Sequence, residues 1–522
     1  MADCTDIIGR QSILGCRFVK SWILVLLVIL SGLFFGSSER AIDKIQEARV
    51  AETAREMVEA NDWVVPHYNG ELRLQKPPLT YWTTALSYKA FGINEFATRI
   101  PSAIFTLATA FLLFLWMKRQ ANVSVASNAV LLLTSTFIGM RYFRSGEADA
   151  TLMFFICFAC FVGFYLVETH QKFMAWLFML GVGLGFLAKG PAGVAIPLIA
   201  VLIYAKNYSK LDRLKLLLHP ISLLIFALTA FAWYAWILID LPNLATAFFS
   251  HQVDETFVTG THKQPFYWYL LHAFDFFAPW SLLFIPAAIW FKKNKQFPPV
   301  ITFAFGWLAV VFILLTLTVN KQTQYALLLL PPLVILLSYY LEYAAGLFKR
   351  INNALFVVLL ALMLLLISFV SYRSGIGELM RMPEAIIWLG LLIFICFCAW
   401  TNKPHSFAKH ILGAFIVMNF MYLFSEQYVT TDAGKSDIKV LMSSVSTYSK
   451  VYQVYPGHGA VSFYAKEVIK TLSEKEMQSM IDSNAEFYLV AKSKSKFNAE
   501  AKPLMETEVG DWALWHFGAP AR

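Results

Sequence analysis

Charged residues are scarce in this chain. Asp, Glu, Lys and Arg make up 15% of its 522 residues, whereas soluble domains carry about 25%. Hydrophobic residues make up 58%, Phe occurs 46 times, and the mean hydropathy is +0.57. So few charges could not cover a water-facing surface, and apolar runs of about 18 residues recur. The composition therefore excludes an ordinary soluble protein and favours a polytopic membrane protein.

Cysteine is also scarce, and its placement excludes a disulfide framework in the polar parts. The six cysteines lie in the N-terminal tail or inside apolar runs: Cys4, Cys16, Cys157, Cys160, Cys396 and Cys398. Cys157 and Cys160 are three residues apart, with no second pair and no nearby histidine. They are better explained as small apolar packing residues than as metal ligands.

Acidic residues are fewer than basic ones, 34 against 43, which gives a net charge of +9. In a membrane protein such an excess lies in cytoplasmic loops and sets the topology, so no nucleic-acid partner is expected.

The first apolar run has no clear small-residue cleavage site and is predicted to be an uncleaved membrane helix. We predict about 13 transmembrane helices, at 18–36, 100–117, 123–140, 150–167, 173–188, 190–205, 217–239, 268–291, 299–319, 325–347, 353–371, 384–400 and 409–425.

The distribution of Lys and Arg predicts the orientation. If the N-terminus is cytoplasmic, alternate loops are the basic ones, with pairs such as Lys118-Arg119 and Lys349-Arg350. The segment 37–99, the turn before Asp149, the Lys189 turn, the loop 240–267, the turn 320–324 and the tail then share the external face. The unusual polar residues thus fall on one side of the membrane.

Two domains are expected. Residues 1–426 form the membrane domain, which includes the external loop 37–99 with interfacial helices at 43–60 and 79–91. Residues 427–522 lack a long apolar run and form a small external α/β domain. Its predicted strands are 451–455, 485–491 and 512–517, and its predicted helix is 473–484.

Ionisable groups at membrane depth are costly and by default mark function. Asp149 and Glu47 are the leading acids, and Lys76 and Lys189 are cations expected on the same side. Three of these four residues have a simpler explanation. Asp149 could be a charge at a helix N-terminus, Glu47 could lie on a solvated helix face, and Lys189 could snorkel to the interface. Together they suggest a site that combines acids with phosphate-binding cations.

The loop that follows residue 250 gathers histidines, acids and aromatics. His251, Glu255 and His262 either contact a sugar or form a metal site, although their spacing has no specific metal signature. An aromatic belt at the membrane interface explains the tyrosines and tryptophan after them. Lys321 lies in another cationic turn, followed by Tyr325.

Several motifs resemble the bacterial aminoarabinose lipid A transferases, members of the wider GT-C glycosyltransferases related to protein O-mannosyltransferases. The matching segments begin in the first loop and continue through most of the membrane part. They are 48–49, 52–57, 62–66, 69–70, 76–82, 99–102, 149–150, 189–191, 262–267, 279–281 and 321–325.

The resemblance implies an all-α GT-C membrane fold, a polyprenyl-phosphate sugar donor, and transfer with inversion at the external face of the inner membrane. It places the family's second acid on Asp149 and its phosphate-binding lysines on Lys76 and Lys189. We predict Asp149 and Glu47 as catalytic residues and Lys76, Lys189, Lys321 and Tyr325 as donor-phosphate ligands. The predicted substrate-binding residues are Arg49, Tyr81, His251, Glu255 and His262.

Two positions depart from the family pattern. Gln46 replaces the first residue of an acidic pair, and Gln75 replaces the acid before Lys-Pro-Pro. Either the acid role has passed to Glu47, or the mechanism relies on Asp149, or activity is altered. No cofactor is assigned, and a divalent cation is left open.

The predicted function is transfer of a sugar from a polyprenyl-phosphate donor to an external acceptor, lipid A or another envelope glycolipid. The alternatives are a protein O-glycosyltransferase of the same fold, a transporter or flippase of lipid-linked sugars, and a catalytically silent binding protein. The expected partners are the lipid-linked donor, a lipid A, glycan or protein acceptor, and membrane lipids. The expected location is the bacterial inner membrane, with the site facing the periplasm.

Overall fold

A computed structural model describes residues 29–355, except 31, 35–36, 39, 43 and 242–262. It also describes residue 358 and most of 437–518, with gaps at 446–449, 455–456, 493–503 and 510–511. The predicted spans 384–400 and 409–425 and most of 353–371 lie outside these residues, as does the predicted domain boundary at 426–427. Of the predicted span 18–36, residues 29, 30 and 32–34 are described, and they are helical.

The described part of the membrane domain is almost entirely helical. Its α-helices are α1 (Ile45–Ala60), α2 (Leu79–Phe91), α3 (Glu95–Gln120), α4 (Val123–Thr134), α5 (Phe137–Tyr142), α6 (Asp149–Thr169), α7 (Lys172–Lys189), α8 (Ala192–Asn207), α9 (Pro220–Asp240), α10 (Trp268–Leu271), α11 (Ala273–Phe276), α12 (Phe284–Lys293), α13 (Pro299–Leu317) and α14 (Leu330–Tyr343). Three 3₁₀ helices lie between them, at Leu211–Leu218, Trp280–Leu283 and Thr323–Leu329.

Within the described residues, six helical segments are long and apolar enough to cross a membrane. They are α3, α6, α7, α9, α13 and the continuous segment Thr323–Tyr343 that contains α14. The helices α4 and α8 are apolar but shorter. The predicted polytopic membrane protein is thereby confirmed.

The predicted continuous helix at 268–291 is wrong. The structure breaks it into α10, α11, a 3₁₀ turn and α12. Pro279 lies at the break, and proline supplies no N–H to a helical ladder. The predicted helix at 123–140 is likewise divided, because α4 ends before Ser135 and α5 begins at Phe137 with Thr136 as its N-cap.

Glycines let three neighbouring helices approach closely. A Cβ on Gly193 of α8 would lie 2.2 Å from the carbonyl carbon of Gly185 in α7, and one on Gly183 of α7 would lie 1.9 Å from the Thr229 hydroxyl of α9. Backbone contact of this kind is typical of small residues at helix interfaces in membranes. These crossings place the end of α7, which carries Lys189, beside α8 and α9.

Replacing Gly193 by alanine should destabilise the protein by about 1–3 kcal/mol, because the added methyl overpacks a backbone contact. Thermal unfolding in detergent measures the change. Gly306→Ala in α13 is the matched control, since its nearest neighbour would lie at an ordinary 3.6 Å. Equal unfolding temperatures for the two variants would contradict the close-packing argument.

The first loop folds much as its sequence predicts. The helix α1 ends at Asn61, whose φ of 52° is left-handed, and α2 begins directly after Pro78. Between them a short hairpin pairs β1 (His67–Tyr68) with β2 (Glu71–Leu72). Asn69 and Gly70 form its tip with φ values of 54° and 76°, a region that asparagine and glycine tolerate.

The tail forms a five-stranded mixed sheet, as the predicted α/β domain requires. Its elements in chain order are α15 (Asp437–Val445), β3 (Val451–Val454), α16 (Gly459–Ala465), β4 (Thr471–Leu472), α17 (Glu474–Asp482), β5 (Phe487–Lys492), β6 (Leu504–Val509) and β7 (Trp512–Phe517). The strand order is β4-β3-β5-β7-β6, with β3, β4 and β5 parallel. A capping box at Ser473 and Glu476 starts α17.

Candidate active site

Asp149 and Lys189 form an ion pair where two neighbouring helices meet. Asp149 is the first residue of α6, Lys189 is the last residue of α7, and Lys189 Nζ lies 2.6 Å from Asp149 Oδ1. Both side chains are largely buried, at 3% and 15% exposure. An acid at a helix N-terminus and a cation at a C-terminus also suit the helix dipoles. Lys189 therefore points to a partner inside the protein and does not snorkel outward.

Tyr325 joins this pair from a third segment. The ammonium of Lys189 lies 4.9 Å from the centroid of the Tyr325 ring, which belongs to the 3₁₀ helix before α14. Three of the predicted site residues, Asp149, Lys189 and Tyr325, are thus brought together although 176 positions separate the first from the last. An ammonium held by a carboxylate and an aromatic face is positioned to receive an anion.

Glu47 lies close by but is fully engaged. Its carboxylate binds Arg99 through two contacts, at 2.7 Å to Nε and 3.1 Å to Nη2, and accepts the Gly146 N–H at 2.9 Å. Although burial opposes ionisation, the guanidinium groups of Arg99 and Arg40 hold the pKa of Glu47 well below its usual range. A carboxylate with so low a pKa is a weak base, so this geometry favours a positioning role. The predicted catalytic role of Glu47 stays a prediction.

The bond from Glu47 to Gly146 has a structural consequence. It ties α1 to the turn 144–148 through Gly146, which lies three residues before Asp149. Ser102 of α3 donates to the Glu147 carbonyl in the same turn, at 3.2 Å. The first loop, α3 and the start of α6 are therefore locked together at the same end of the helices.

Lys76 lies in the loop between β2 and α2 and is half-buried. On either side of it, Leu74 and Leu79 pack with Leu187, two residues before Lys189, and with Trp233 of α9. The Trp233 indole also donates to the Val64 carbonyl at 2.8 Å. These contacts place the Lys76 loop at the end of α7 that carries Lys189. The predicted contact of Lys76 with the donor phosphate stays a prediction.

Lys321 is buried beside the end of α13. Its ammonium donates to the carbonyls of Thr316, at 3.1 Å, and Thr318, and burial lowers its pKa. In this structure Lys321 thus binds carbonyls near the C-terminus of α13. Its predicted contact with the donor phosphate stays a prediction.

Arg49 and Tyr81 lie on the hairpin side of the site. Arg49 is two residues after Glu47 on α1, and its buried Nε has no hydrogen-bond partner among the described residues. The Tyr81 hydroxyl accepts from Arg73 Nε at 3.0 Å, and the Arg73 guanidinium lies 5.1 Å from the Tyr68 ring centroid. Arg73 is only 9% exposed, so it is buried although it lies in a loop, and its hydrogen bond fixes the Tyr81 hydroxyl.

The predicted substrate-binding residues His251, Glu255 and His262 lie outside the described residues. Across the part of the chain that the structure describes, no group of three His, Cys, Asp or Glu side chains has metal-binding geometry. Gln46 and Gln75 are neutral amides and weak substitutes for carboxylate ligands. The side chains that are described therefore do not fit a divalent cation.

Glu147 is a candidate site residue that the sequence did not single out. It is 6% exposed, and its Oε1 accepts the Ser145 hydroxyl at 2.9 Å. Burial, and next the negative charge of Asp149, raise its pKa to about 7, while Ser145 and Lys189 oppose this shift. A second acid two residues before Asp149 was the available signal, but spacing alone does not show that both carboxyls are buried.

The raised pKa of Glu147 predicts a pH dependence of stability. Between the ordinary carboxyl pKa of 4.5 and about 7, the unfolded state is ionised there while the folded state keeps its proton. The free energy of unfolding should therefore fall across this window, by on the order of 3 kcal/mol for this group. Glu147→Gln should remove that part of the slope.

Denaturant titrations at pH 4.5, 6, 7 and 8 measure the difference between the wild type and Glu147→Gln. Ser145→Ala is the companion variant, because loss of its hydrogen bond to the carboxylate should extend the window upward. Parallel curves for all three proteins would show that folding does not raise the pKa of Glu147.

Comparisons with known proteins bear on the fold and on the enzyme class. Residues 75–236 match the family described as dolichyl-phosphate-mannose-protein mannosyltransferase. An undecaprenyl phosphate-alpha-4-amino-4-deoxy-L-arabinose arabinosyl transferase from Serratia proteamaculans is 26% identical over 400 residues, 73% of this chain and 70% of the relative. An uncharacterized protein from Aquifex aeolicus is 27% identical over 350 residues, 66% of this chain and 68% of the relative.

Among solved structures, ArnT from Cupriavidus metallidurans bound to undecaprenyl phosphate superposes with a TM-score of 0.80. It covers 95% of this chain and 98% of its own, at 16% identity, a level that establishes the fold alone. The predicted GT-C fold and the predicted resemblance are both confirmed. The predicted enzyme class, a membrane glycosyltransferase, is confirmed as well.

Proposed function

We propose that this glycosyltransferase takes its sugar from a polyprenyl-phosphate donor and transfers it to an acceptor at the external face of the bacterial inner membrane. Lipid A or another envelope glycolipid is the proposed acceptor class. The observation that carries the proposal is the buried Asp149–Lys189 pair under the Tyr325 ring, at the end of the helices where the Lys76 loop also lies. The relatives that transfer aminoarabinose from undecaprenyl phosphate support the choice of donor.

In the proposed reaction, an acceptor oxygen attacks the anomeric carbon of the sugar. The bond between that carbon and the phosphate oxygen breaks, and the polyprenyl phosphate leaves with the bonding electrons. Lys189 and Lys76 neutralise the negative charge that develops on the phosphate, an effect that is strongest in a buried site. Asp149 holds the Lys189 ammonium at 2.6 Å and thus fixes its position.

A hydroxyl acceptor must also lose a proton. Asp149 or Glu147 would receive it, and Glu147 is the better matched of the two carboxyls, since burial raises its pKa to about 7. An acceptor that attacks through a phosphate oxygen carries no such proton and needs no base. The two acceptor classes therefore differ in whether activity depends on a carboxyl group.

The positions of the charged residues argue against a transporter or flippase. In the six described spanning segments, every Asp, Glu, Lys and Arg lies within five residues of a helix end. Transporters place their ionisable binding residues near the bilayer midplane, commonly between inverted repeats. The ion pair of Asp149 and Lys189 is instead at the end of both helices.

The test uses the purified protein with an undecaprenyl-phosphate-linked sugar. Release of undecaprenyl phosphate is expected only when an acceptor is added, and mass spectrometry of the products identifies the acceptor. Lipid A and an envelope protein fraction are the two acceptors to compare. No release with either acceptor would refute the proposed reaction, whereas a sugar found on protein would favour the O-glycosyltransferase alternative.

A further inference from the structure

The tail domain contacts several parts of the first loop that surround the site. The Tyr464 hydroxyl accepts the Ile42 N–H at 2.8 Å, the Gly459 N–H donates to the Tyr68 hydroxyl at 2.7 Å, and Lys439 pairs with Glu95. Apolar residues of α1, α2, α15 and α16 share one buried cluster. The tail and the first loop thus form a common core, which a loosely tethered accessory domain would lack.

The β1–β2 hairpin lies at the carboxyl end of strand β3 in the tail sheet. In open sheets with parallel strands, ligands bind outside the carboxyl ends of those strands. The strand β3 ends at Val454, and Gly457 and Gly459, which follow it in the chain, lie against the hairpin residues Asn69 and Tyr68. A Cβ on Gly457 would lie 3.1 Å from Asn69 Nδ2, and one on Gly459 would lie 2.6 Å from the Tyr68 ring.

Specific bonds hold the hairpin there. Asn69 Oδ1 accepts from the Ser462 hydroxyl at 2.9 Å, and Ser462 and Asn69 are both buried. On its other side the hairpin is bonded to α1, because the Gly70 N–H donates to Glu56 at 3.1 Å. The chain then leaves β2 through Arg73 and Leu74 and reaches Lys76 within four residues.

From these contacts we infer that the tail is a positioning domain, which binds the β1–β2 hairpin at the carboxyl end of its sheet and so holds Lys76 in the site. The hairpin occupies the place where a domain of this topology would take a free ligand. Gly459 also lies against the Ala48 carbonyl of α1, one residue from Glu47 and Arg49. The assignment rests on the proposed function only for the role of Lys76.

The experiment loosens the hairpin with small changes. Tyr68→Phe removes the hydroxyl that binds Gly459, and Asn69→Gly removes the bond to Ser462 while keeping the left-handed backbone. The double variant in the full-length protein should be cut by trypsin after Arg73 at least tenfold faster. Undecaprenyl phosphate, used as the probe, should bind it about tenfold more weakly.

Matched controls separate this effect from general loss of stability. Asn61→Gly changes another left-handed asparagine, which is exposed at the end of α1. Tyr452→Phe changes a tyrosine in β3 whose hydroxyl makes no hydrogen bond among the described residues. Both should match the wild type, whereas Gly459→Ala should reproduce the double variant from the tail side, because its Cβ would clash with Tyr68.

Two results would overturn the assignment: unchanged cleavage after Arg73, or faster cleavage with unchanged undecaprenyl phosphate binding. Failure of the wild type to bind undecaprenyl phosphate is a different result. It would count against the proposed donor, and the cleavage rates would still decide whether the tail holds the hairpin.

Discussion

Lys189→Met should lower kcat for release of undecaprenyl phosphate by about 10²–10³-fold, the usual cost of removing one group that stabilises developing charge. Methionine keeps much of the length of the side chain but removes its charge and its hydrogen-bond donors. The loss has two physical parts. The leaving phosphate loses a buried cation, and Asp149 loses the partner that lies 2.6 Å away. Because the leaving charge develops during the reaction, kcat should fall more than KM rises.

Lys210→Met is the matched control for this prediction. Lys210 also pairs with a carboxylate of α6, Glu168, at 2.8 Å. However, Glu168 lies near the opposite end of α6 from Asp149, about 28 Å away at 1.5 Å per residue. The Lys210 variant should keep kcat within about twofold of the wild type. A Lys189 variant as active as the Lys210 variant would remove Lys189 from the proposed mechanism.

Much of the membrane fold follows from the sequence because its signals are local. Long apolar runs predict the spanning helices. Pro78 marks the start of α2, and Asn61 marks the end of α1. The Ser473–Glu476 capping box marks the start of α17 in the same way. The segment 268–291 was predicted wrongly as one helix, because its mean hydropathy is high throughout and does not reveal the break at Pro279.

Only some features of the site can be predicted from local sequence signals. Asp149, Lys189 and Tyr325 could be proposed because each occupies a polar turn between apolar runs. The contacts among these three residues could not be predicted from the sequence, because they depend on which helices are neighbours in the fold. The burial of Arg73 and Glu147 escapes sequence analysis for the same reason: a charged residue in a loop is usually solvated.

Arg99 shows the largest difference between what the sequence suggests and what the structure shows. In sequence it is one charge near the start of an apolar helix. In the structure it binds Glu47 and also donates to the carbonyls of Ser37 at 2.6 Å, Arg40 at 2.5 Å and Ala41 at 3.1 Å. One side chain thus joins α3, α1 and the segment before α1. No spacing rule predicts this, because the partners Glu47 and Arg99 are 52 residues apart.

Arg99→Met should therefore destabilise the protein by about 3–5 kcal/mol, the cost of breaking a buried ion pair and leaving one charge behind. Glu47 is 0% exposed, and after the substitution its remaining cationic contact is Arg40, at 3.5 Å. Chemical unfolding in detergent measures the loss. Arg119→Met, on the exposed last turn of the same helix, should change stability by no more than about 0.5 kcal/mol.

The double variant Glu47→Gln with Arg99→Met tests the reason for that loss. If the main cost is an uncompensated buried carboxylate, then neutralising Glu47 should recover part of the lost stability, and the double variant should be more stable than Arg99→Met alone. The three backbone carbonyls would still lack their donor, so recovery should be incomplete. A double variant less stable than Arg99→Met would contradict this explanation, because it would show that the ionised Glu47 is still stabilised by its remaining partners, Arg40 and the Gly146 N–H. The loss in Arg99→Met would then come mainly from the three backbone carbonyls that lose their donor in the segment before α1.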